Sequence, residues 1–173
     1  KGDARDGFST ALTSLYRQFE SLSASLLRLM ASALGAPENY FDNKISRHFS
    51  ILASHFYPPP VAPAKPGQLR TGEHTDFGAF TILAMSGAAA GLEVRMPNGE
   101  WRAVQAQPGD LVVNLGDMMA RWTNDRWLST LHRVANPAPS ERSRARRQSI
   151  GYFMHPDYDA QIECLASVLA PGA

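Results

Sequence analysis

This sequence has one cysteine, no long apolar run and almost no excess of charge of either sign. The single cysteine among its 173 residues, Cys164, excludes a disulfide within the chain and favours a reducing, cytoplasmic setting. No apolar run approaches the roughly 18 residues that a membrane-spanning helix needs, so we expect no membrane segment. The formal net charge of +1 excludes a protein that holds nucleic acid by bulk electrostatics.

The composition that remains is that of an ordinary globular domain. Hydrophobic residues make up 44% of the chain and charged residues 19%, far from the values of disordered sequences. The length suits one domain with a substantial core and is short for two. The sequence begins without an initiator methionine and without the profile of a signal peptide. We therefore expect a single globular domain.

A long amphipathic helix is predicted over residues 8–34. Apolar residues recur there at steps of three and four, the spacing of one helical face. Gly35 stands where a helix C-cap belongs, and Pro37 opens a second short turn. None of the residues in this helix is typical of a catalytic group, so we interpret residues 1–44 as a helical support region.

After Asp42 the pattern changes to short strands separated by turns. The first strand, over residues 49–56, alternates in a way that predicts burial on at least one face. Five prolines and a glycine make residues 58–67 a stiff loop. Further strands are predicted near residues 79–85, 92–96, 101–105, 111–115, 129–135 and 147–153. Short strands at this spacing predict a mainly β fold with flanking helices, built as a sandwich or barrel.

The segment His74-Thr75-Asp76 is the first candidate for chemistry. Residues i and i+2 of an extended chain project to the same face, so both side chains can reach one metal ion. His132, in a second predicted strand, is the candidate for a third ligand. Two imidazoles and one carboxylate with open positions opposite form the facial triad of non-haem Fe(II) oxygenases. His155-Pro156-Asp157 repeats the His-x-Asp pattern, but no histidine follows it, so we interpret it as a capped turn and keep a metal site as the alternative.

Arg147 and Ser149 are a second candidate site. On the predicted strand 147–153, Arg147, Ser149 and Phe153 share one face, so we expect the ring of Phe153 to line the same cavity. A guanidinium beside a hydroxyl suits a carboxylate, which accepts two parallel charge-assisted hydrogen bonds from the fork and a third from the hydroxyl. The pair gains weight from its position after the His-x-Asp segment and the third histidine.

Seven short sequence segments follow one another along the chain between about residues 45 and 165. They are His55-Phe56-Tyr57-Pro58-Pro59, Gly72-Glu73-His74-Thr75-Asp76-Phe77-Gly78, Thr81-Ile82-Leu83, Gly91-Leu92-Glu93-Val94, Gly109-Asp110-Leu111-Val112-Val113-Asn114-Leu115-Gly116-Asp117, His132-Arg133-Val134 and Arg147-Gln148-Ser149-Ile150-Gly151-Tyr152-Phe153. In this order they resemble the catalytic core of the isopenicillin N synthase-like family of Fe(II)/2-oxoglutarate-dependent dioxygenases.

The resemblance implies a role for each candidate. His74, Asp76 and His132 correspond to the iron ligands of the family, which makes them the expected metal and catalytic residues. Arg147 and Ser149 correspond to the pair that binds the distal carboxylate of 2-oxoglutarate. The implied cofactors are Fe(II), 2-oxoglutarate and dioxygen. The implied reaction oxidises an unactivated C–H bond of a small organic substrate by hydroxylation, desaturation or cyclisation, and 2-oxoglutarate is decarboxylated to succinate.

The resemblance also covers neighbours of these residues. Tyr57 corresponds to a tyrosine that often adds a hydrogen bond to 2-oxoglutarate. The family often has Asn where this chain has His55 and Tyr where it has Phe56, so the local contacts to 2-oxoglutarate are expected to differ here. Asn114 matches a family asparagine on a core strand and is assigned no catalytic role.

The implied fold is a double-stranded β-helix, or jelly roll, over residues 45–165, with residues 166–173 as a C-terminal tail. The resemblance further implies that this chain lacks the segment that usually precedes its helix. Two alternatives stay open. One is an Fe(II) oxidase that needs no 2-oxoglutarate and uses Arg147 to hold a substrate carboxylate, and the other is a non-catalytic jelly-roll binding module.

Overall fold

The long N-terminal helix is present in the computed structural model, which describes residues 3–86 and 91–169. Helix α1 (Asp3–Ala33) starts before the predicted residue 8 and ends one residue short of the predicted residue 34. Gly35 takes a φ of 71°, the left-handed conformation that favours glycine after a helix, as predicted. The first two residues of the predicted support region and the last four of the predicted tail lie outside the described residues.

Two four-stranded antiparallel sheets make up the rest of the described fold. The first sheet has the order β1-β8-β3-β6, with bounds β1 Ile51–Tyr57, β8 Arg147–Met154, β3 Phe80–Ser86 and β6 Leu111–Leu115. The second sheet has the order β2-β7-β4-β5, with bounds β2 Thr71–His74, β7 His132–Val134, β4 Leu92–Arg95 and β5 Trp101–Ala103. Apart from β4 and β5, which pair with each other in the second sheet, strands that follow one another in the chain switch between the sheets. This topology confirms the predicted mainly β jelly roll.

Strand β2 and helix α2 (Asp117–Trp122) are elements that the sequence pattern did not predict. The β2 sequence, Thr-Gly-Glu-His, contains no aliphatic or aromatic residue, so no hydrophobic alternation marks it. Helix α2 has only six residues, too few to display a helical period. Three short 3-10 turns complete the described elements, at Asp42–Lys44, Pro139–Arg144 and Ala166–Val168.

Helix α1 packs against one face of the first sheet. Phe19 and Leu27 of the helix are buried together with Phe80 of β3 and Tyr152 of β8. The rings of Tyr16 and Tyr152 form a T-shaped pair with their centroids 5.2 Å apart. Each fully buried side chain of this size stabilises the fold by about 1.5–3 kcal/mol. The helix therefore anchors the sheet and leaves its other face free for the interior.

Among the described residues, no helix has the length and apolarity to cross a membrane.

Strand β1 is less buried than its alternation predicted. It starts at Ile51 rather than at residue 49, none of its residues is buried, and the side chains of Ile51 and Phe56 are 53% and 55% exposed. The reason is its position, since it is the end strand of the described sheet and pairs only with β8. The pairing places His55 opposite Ser149 and Tyr57 opposite Arg147, and both His55 and Tyr57 face the interior.

Candidate active site

A cavity of about 140 Å³ lies between the two sheets, on the face of the first sheet that α1 does not cover. Both sheets contribute to its apolar wall, which consists of Leu83, Leu92, Val94, Val112, Val134 and Phe153. The position of Phe153 confirms the strand register that the sequence predicted. Two groups of polar side chains face the same cavity, one at the end of β2 and one at the start of β8.

His74, Asp76 and His132 come together in this cavity, as the sequence predicted. Their ligand atoms all lie within 4.8 Å of one another. His74 is the register partner of His132 across the β2–β7 pair, and the two ring centroids are 4.2 Å apart. Asp76 lies in the turn two residues after β2, where it is 7% exposed and its Oδ1 is 3.9 Å from His132 Nε2.

Backbone carbonyl groups fix the orientation of both histidine rings. The Nδ1 atom of His74 is 2.8 Å from the carbonyl oxygen of Gly72, and the Nδ1 atom of His132 is 2.8 Å from that of Thr130. A carbonyl only accepts, so each Nδ1 carries the proton and donates it, and each Nε2 is left with a free lone pair. Two neutral imidazoles and one carboxylate then fit a divalent iron ion, which takes this donor set and keeps open positions.

The turn that carries Asp76 is held by the start of α2. The backbone N–H of Asp117 donates to the carbonyl of Asp76 at 2.8 Å, and Met118 N–H lies 3.1 Å from the carbonyl of Gly78. The backbones approach so closely that a Cβ atom on Gly116 would lie 2.3 Å from that Gly78 oxygen. Glycine is therefore required at residue 116 by the contact that positions a candidate metal ligand. Sequence periodicity gave no sign of this contact.

The second His-x-Asp segment forms a capped turn, one of its two interpretations. The His155 ring stacks on Phe49 at 5.0 Å and does not line the cavity. The carboxylate of Asp157 accepts the backbone N–H of Arg47 at 2.7 Å and the hydroxyl of Ser46 at 2.9 Å. Both carboxylate oxygens are thus used within the fold. Residues 155–157 take no part in the metal-binding group found among the described residues.

Arg147 places a buried guanidinium in the cavity without an anionic partner among the described residues. Its side chain is 4% exposed, and its Nη1 donates to the hydroxyl of Ser149 at 3.2 Å. Its Nη2 lies 3.6 Å from the sulfur of Met85, and its Nε has no partner in the described structure. Burial holds the pKa of Arg147 below its usual value, although the neighbouring Tyr57 offsets part of this effect. A buried cation with unused donors fits a carboxylate ligand, which would supply the missing charge.

Tyr57 and His55, which the sequence placed beside the expected 2-oxoglutarate site, also line the cavity. The Tyr57 ring lies 4.8 Å from the guanidinium carbon of Arg147, and its hydroxyl is hydrogen-bonded to the hydroxyl of Thr71 at 3.0 Å. His55 lines the cavity, and its ring forms a T-shaped pair with that of Phe153, with the two centroids 6.4 Å apart. Phe56 does not line the cavity, so of the two departures from the family pattern only His55 affects the pocket.

Comparison with known proteins identifies a protein family and individual relatives with similar sequences. The family model of the 2OG-Fe(II) oxygenase superfamily matches residues 48–156. A 2-oxoglutarate-dependent dioxygenase of Aspergillus rugulosus is 32% identical, over 98% of this chain and 54% of the relative. The validamycin A dioxygenase of Streptomyces hygroscopicus subsp. limoneus is 33% identical, over 88% of this chain and 42% of the relative.

The fold is also shared with solved structures. A full-length protein of Neurospora crassa, crystallised in complex with alpha-KG (2-oxoglutarate) and thymine, superposes with a TM-score of 0.89 at 36% identity. The match covers 96% of this chain and 51% of that one. The chain therefore spans about half the length of the relatives that it matches.

Proposed function

This chain belongs to the 2OG-Fe(II) oxygenase superfamily, and on that premise we propose that it is an Fe(II)/2-oxoglutarate-dependent dioxygenase acting on a small organic molecule. His74, Asp76 and His132 would hold the iron. Arg147 and Ser149 would bind the distal carboxylate of 2-oxoglutarate, with Tyr57 beside them. The observation that carries the proposal is one cavity containing both a facial triad and a buried guanidinium with unused donors.

The reaction has one oxidant and two reductants. Iron held there would supply the redox chemistry. Dioxygen would take two electrons from 2-oxoglutarate, giving succinate and carbon dioxide with one oxygen atom in the succinate, and two from the substrate, with the other oxygen atom entering the product or leaving as water. The protein contributes geometry, because the carbonyls of Gly72 and Thr130 hold the ring protons away from the metal side of each histidine. Arg147 orients the co-substrate, and the apolar wall of the cavity excludes water.

Two features support 2-oxoglutarate over the alternatives. The Neurospora protein, at 36% identity, was crystallised in complex with this co-substrate, and the Aspergillus relative is named for its dependence on it. In this chain the side chains of Arg147 and Ser149 are hydrogen-bonded to each other and line the cavity. The substrate is proposed only as a small organic molecule, because the relatives are linked to compounds as different as validamycin A and thymine. A cytoplasmic location, supported by the single cysteine, is part of the proposal.

Dioxygen uptake and succinate formation test the proposal directly. We expect the Fe(II)-loaded protein to consume dioxygen only when 2-oxoglutarate is present, with succinate appearing in proportion, and the rate to rise when a suitable small molecule is added. The Asp76→Ala variant should show neither signal. Uptake that needs a substrate but not 2-oxoglutarate would establish the oxidase alternative, and metal binding without any uptake would establish the binding module.

A further inference from the structure

The two oxygens of the Asp76 carboxylate have different surroundings. The Oδ2 atom accepts two hydrogen bonds, from the hydroxyl of Thr81 at 2.6 Å and from the side-chain amide of Asn114 at 2.7 Å. The Oδ1 atom is turned towards His132, whose Nε2 lies 3.9 Å away. The hydrogen bonds described for this carboxylate all go to Oδ2. One oxygen is thus committed to the protein, and the other faces the candidate metal position.

Both donors come from the first sheet, whereas the histidines come from the second. Thr81 of β3 and Asn114 of β6 are direct register partners on the cavity face of the first sheet. Thr81 is 3% exposed, and its neighbours along β3, Phe80 and Ile82, are fully buried on the opposite face against the core. The two donors therefore lie on closely packed strands, and this packing fixes their positions.

We propose that Thr81 and Asn114 are positioning residues that restrict Asp76 to binding the metal through Oδ1 alone. A free carboxylate binds a cation through one oxygen or through both. Releasing Oδ2 would leave the buried hydroxyl of Thr81 and the partly buried amide of Asn114 unpaired. Distances of 2.6 and 2.7 Å are typical of the stronger, charge-assisted hydrogen bonds. The inference rests on the proposed metal site and adds a reason why Asp76 would occupy only one coordination position of the metal.

The way in which Asp76 binds the metal decides how many coordination positions of the metal stay open. An ion held by His74, Asp76 and His132 alone would keep its remaining positions for dioxygen and a co-substrate. If Asp76 bound through both oxygens, it would occupy one of those positions itself. The hydroxyl of Thr81 and the amide of Asn114 would thus preserve the open position that the chemistry needs, without touching any reacting atom.

The experiment uses Mn(II), which prefers oxygen ligands and does not react with dioxygen here, as the probe metal. We expect Thr81→Val and Asn114→Leu, which keep the side-chain volume but remove the donor, each to weaken Mn(II) binding ~10- to 100-fold. In the Thr81→Val/Asn114→Leu double variant, magnetic resonance in 17O-labelled water should find one bound water fewer than in the wild type. Thr81→Ser, which keeps the hydroxyl, should restore wild-type affinity and water count.

Thr13→Val is the control, because it makes the same substitution at an exposed threonine of α1, which does not line the cavity. It should change neither Mn(II) affinity nor water count, and metal-free unfolding curves will verify that each variant is folded. An unchanged water count in the folded double variant would overturn the inference, even if affinity fell. Wild-type protein that binds no Mn(II) would instead refute the proposed metal site itself.

Discussion

At the scale of single residues, the site depends on side chains whose charge the fold buries and only partly compensates. Asp76 is 7% exposed and receives two donors on one oxygen, and Arg147 is 4% exposed with an Nε that has no partner among the described residues. Burying a charge without a partner is expensive, so such groups persist where a ligand completes them. A divalent cation would complete Asp76, and a carboxylate would complete Arg147.

Replacing Asp76 tests the metal site. We expect Asp76→Ala to weaken Fe(II) or Mn(II) binding by roughly 100-fold or more, because two neutral imidazoles leave the charge of the cation uncompensated. Equilibrium dialysis with metal analysis measures this. His155→Ala is the control, since His155 stacks on Phe49 outside the cavity, and it should retain wild-type metal content. Metal content that followed His155 and ignored Asp76 would show that the triad is wrongly assigned.

Replacing Arg147 tests the co-substrate site. Arg147→Lys keeps the charge but loses the planar fork, and a charge-assisted hydrogen bond contributes about 1.5–3 kcal/mol. We therefore expect the apparent KM for 2-oxoglutarate to rise by roughly 10- to 100-fold, with metal affinity almost unchanged. Ser149→Ala should act in the same direction but less, because a neutral donor contributes less than a guanidinium.

Arg146→Lys is the control for Arg147→Lys. Arg146 is the preceding arginine, but it is exposed, and its guanidinium lies 5.3 Å from the ring of Phe56, outside the cavity. The control should leave the KM for 2-oxoglutarate unchanged. If Arg147→Lys weakened only the main substrate, the oxidase alternative, with Arg147 on a substrate carboxylate, would replace the present proposal.

At the scale of elements, the metal ligands are positioned by contacts between short segments. The β2–β7 pair carries both histidines. Arg133 of β7 forms ion pairs with Glu73 of β2 at 3.1 Å and with Glu93 of the neighbouring β4 at 2.7 Å. The turn after β2 is fixed by the backbone of residues 116–118 at the start of α2. Neither β2 nor α2 is long enough to be stable alone, so the site forms only when these elements pack together.

Gly116→Ala tests the contact between the turn and α2. The added Cβ would lie 2.3 Å from the carbonyl oxygen of Gly78 and 2.7 Å from that of Asp76, so one backbone must move. We expect the variant to lose about 1–3 kcal/mol of unfolding free energy, measured by denaturant titration, and to bind Mn(II) more weakly. Gly7→Ala is the control for metal affinity, because a Cβ at residue 7 of α1 meets nothing within 4 Å and the residue does not line the cavity. Equal metal affinity in Gly116→Ala and wild type would mean that the contact does not position Asp76.

At the scale of the whole molecule, the candidate metal site joins the two sheets. The histidines belong to the second sheet, while the donors that hold Asp76 belong to the first. Helix α1 covers the outer face of the first sheet and leaves its inner face to the cavity. A ligand bound between the sheets would therefore stabilise the complete fold and not one element alone.

Thermal unfolding measures this coupling. A ligand that binds only the folded state stabilises it by about 2.7 kcal/mol at a concentration 100 times its Kd. For a domain of this size that free energy corresponds to a rise in Tm of roughly 5–10 °C. We expect this rise on addition of Mn(II) to the wild type and almost none in Asp76→Ala. A similar rise in both proteins would show that the stabilising metal binds elsewhere.

The sequence by itself determined much of this picture. The steps of three and four predicted α1, the turn residues separated most of the strands, and the strand alternation placed Arg147, Ser149 and Phe153 on one face. The spacing of His74 and Asp76 also indicated two metal ligands on one face, with His132 as the candidate for the third. These are local properties, and local properties can be read from the order of residues.

Only the tertiary structure decided the rest. The meeting of His74 and Asp76 with His132 is a contact made across the second sheet. The exposure of β1 depends on its place at the end of the described sheet, and the pairing of Thr81 with Asn114 beneath Asp76 depends on register between strands far apart in the chain. Such contacts join distant residues, and no local period encodes them.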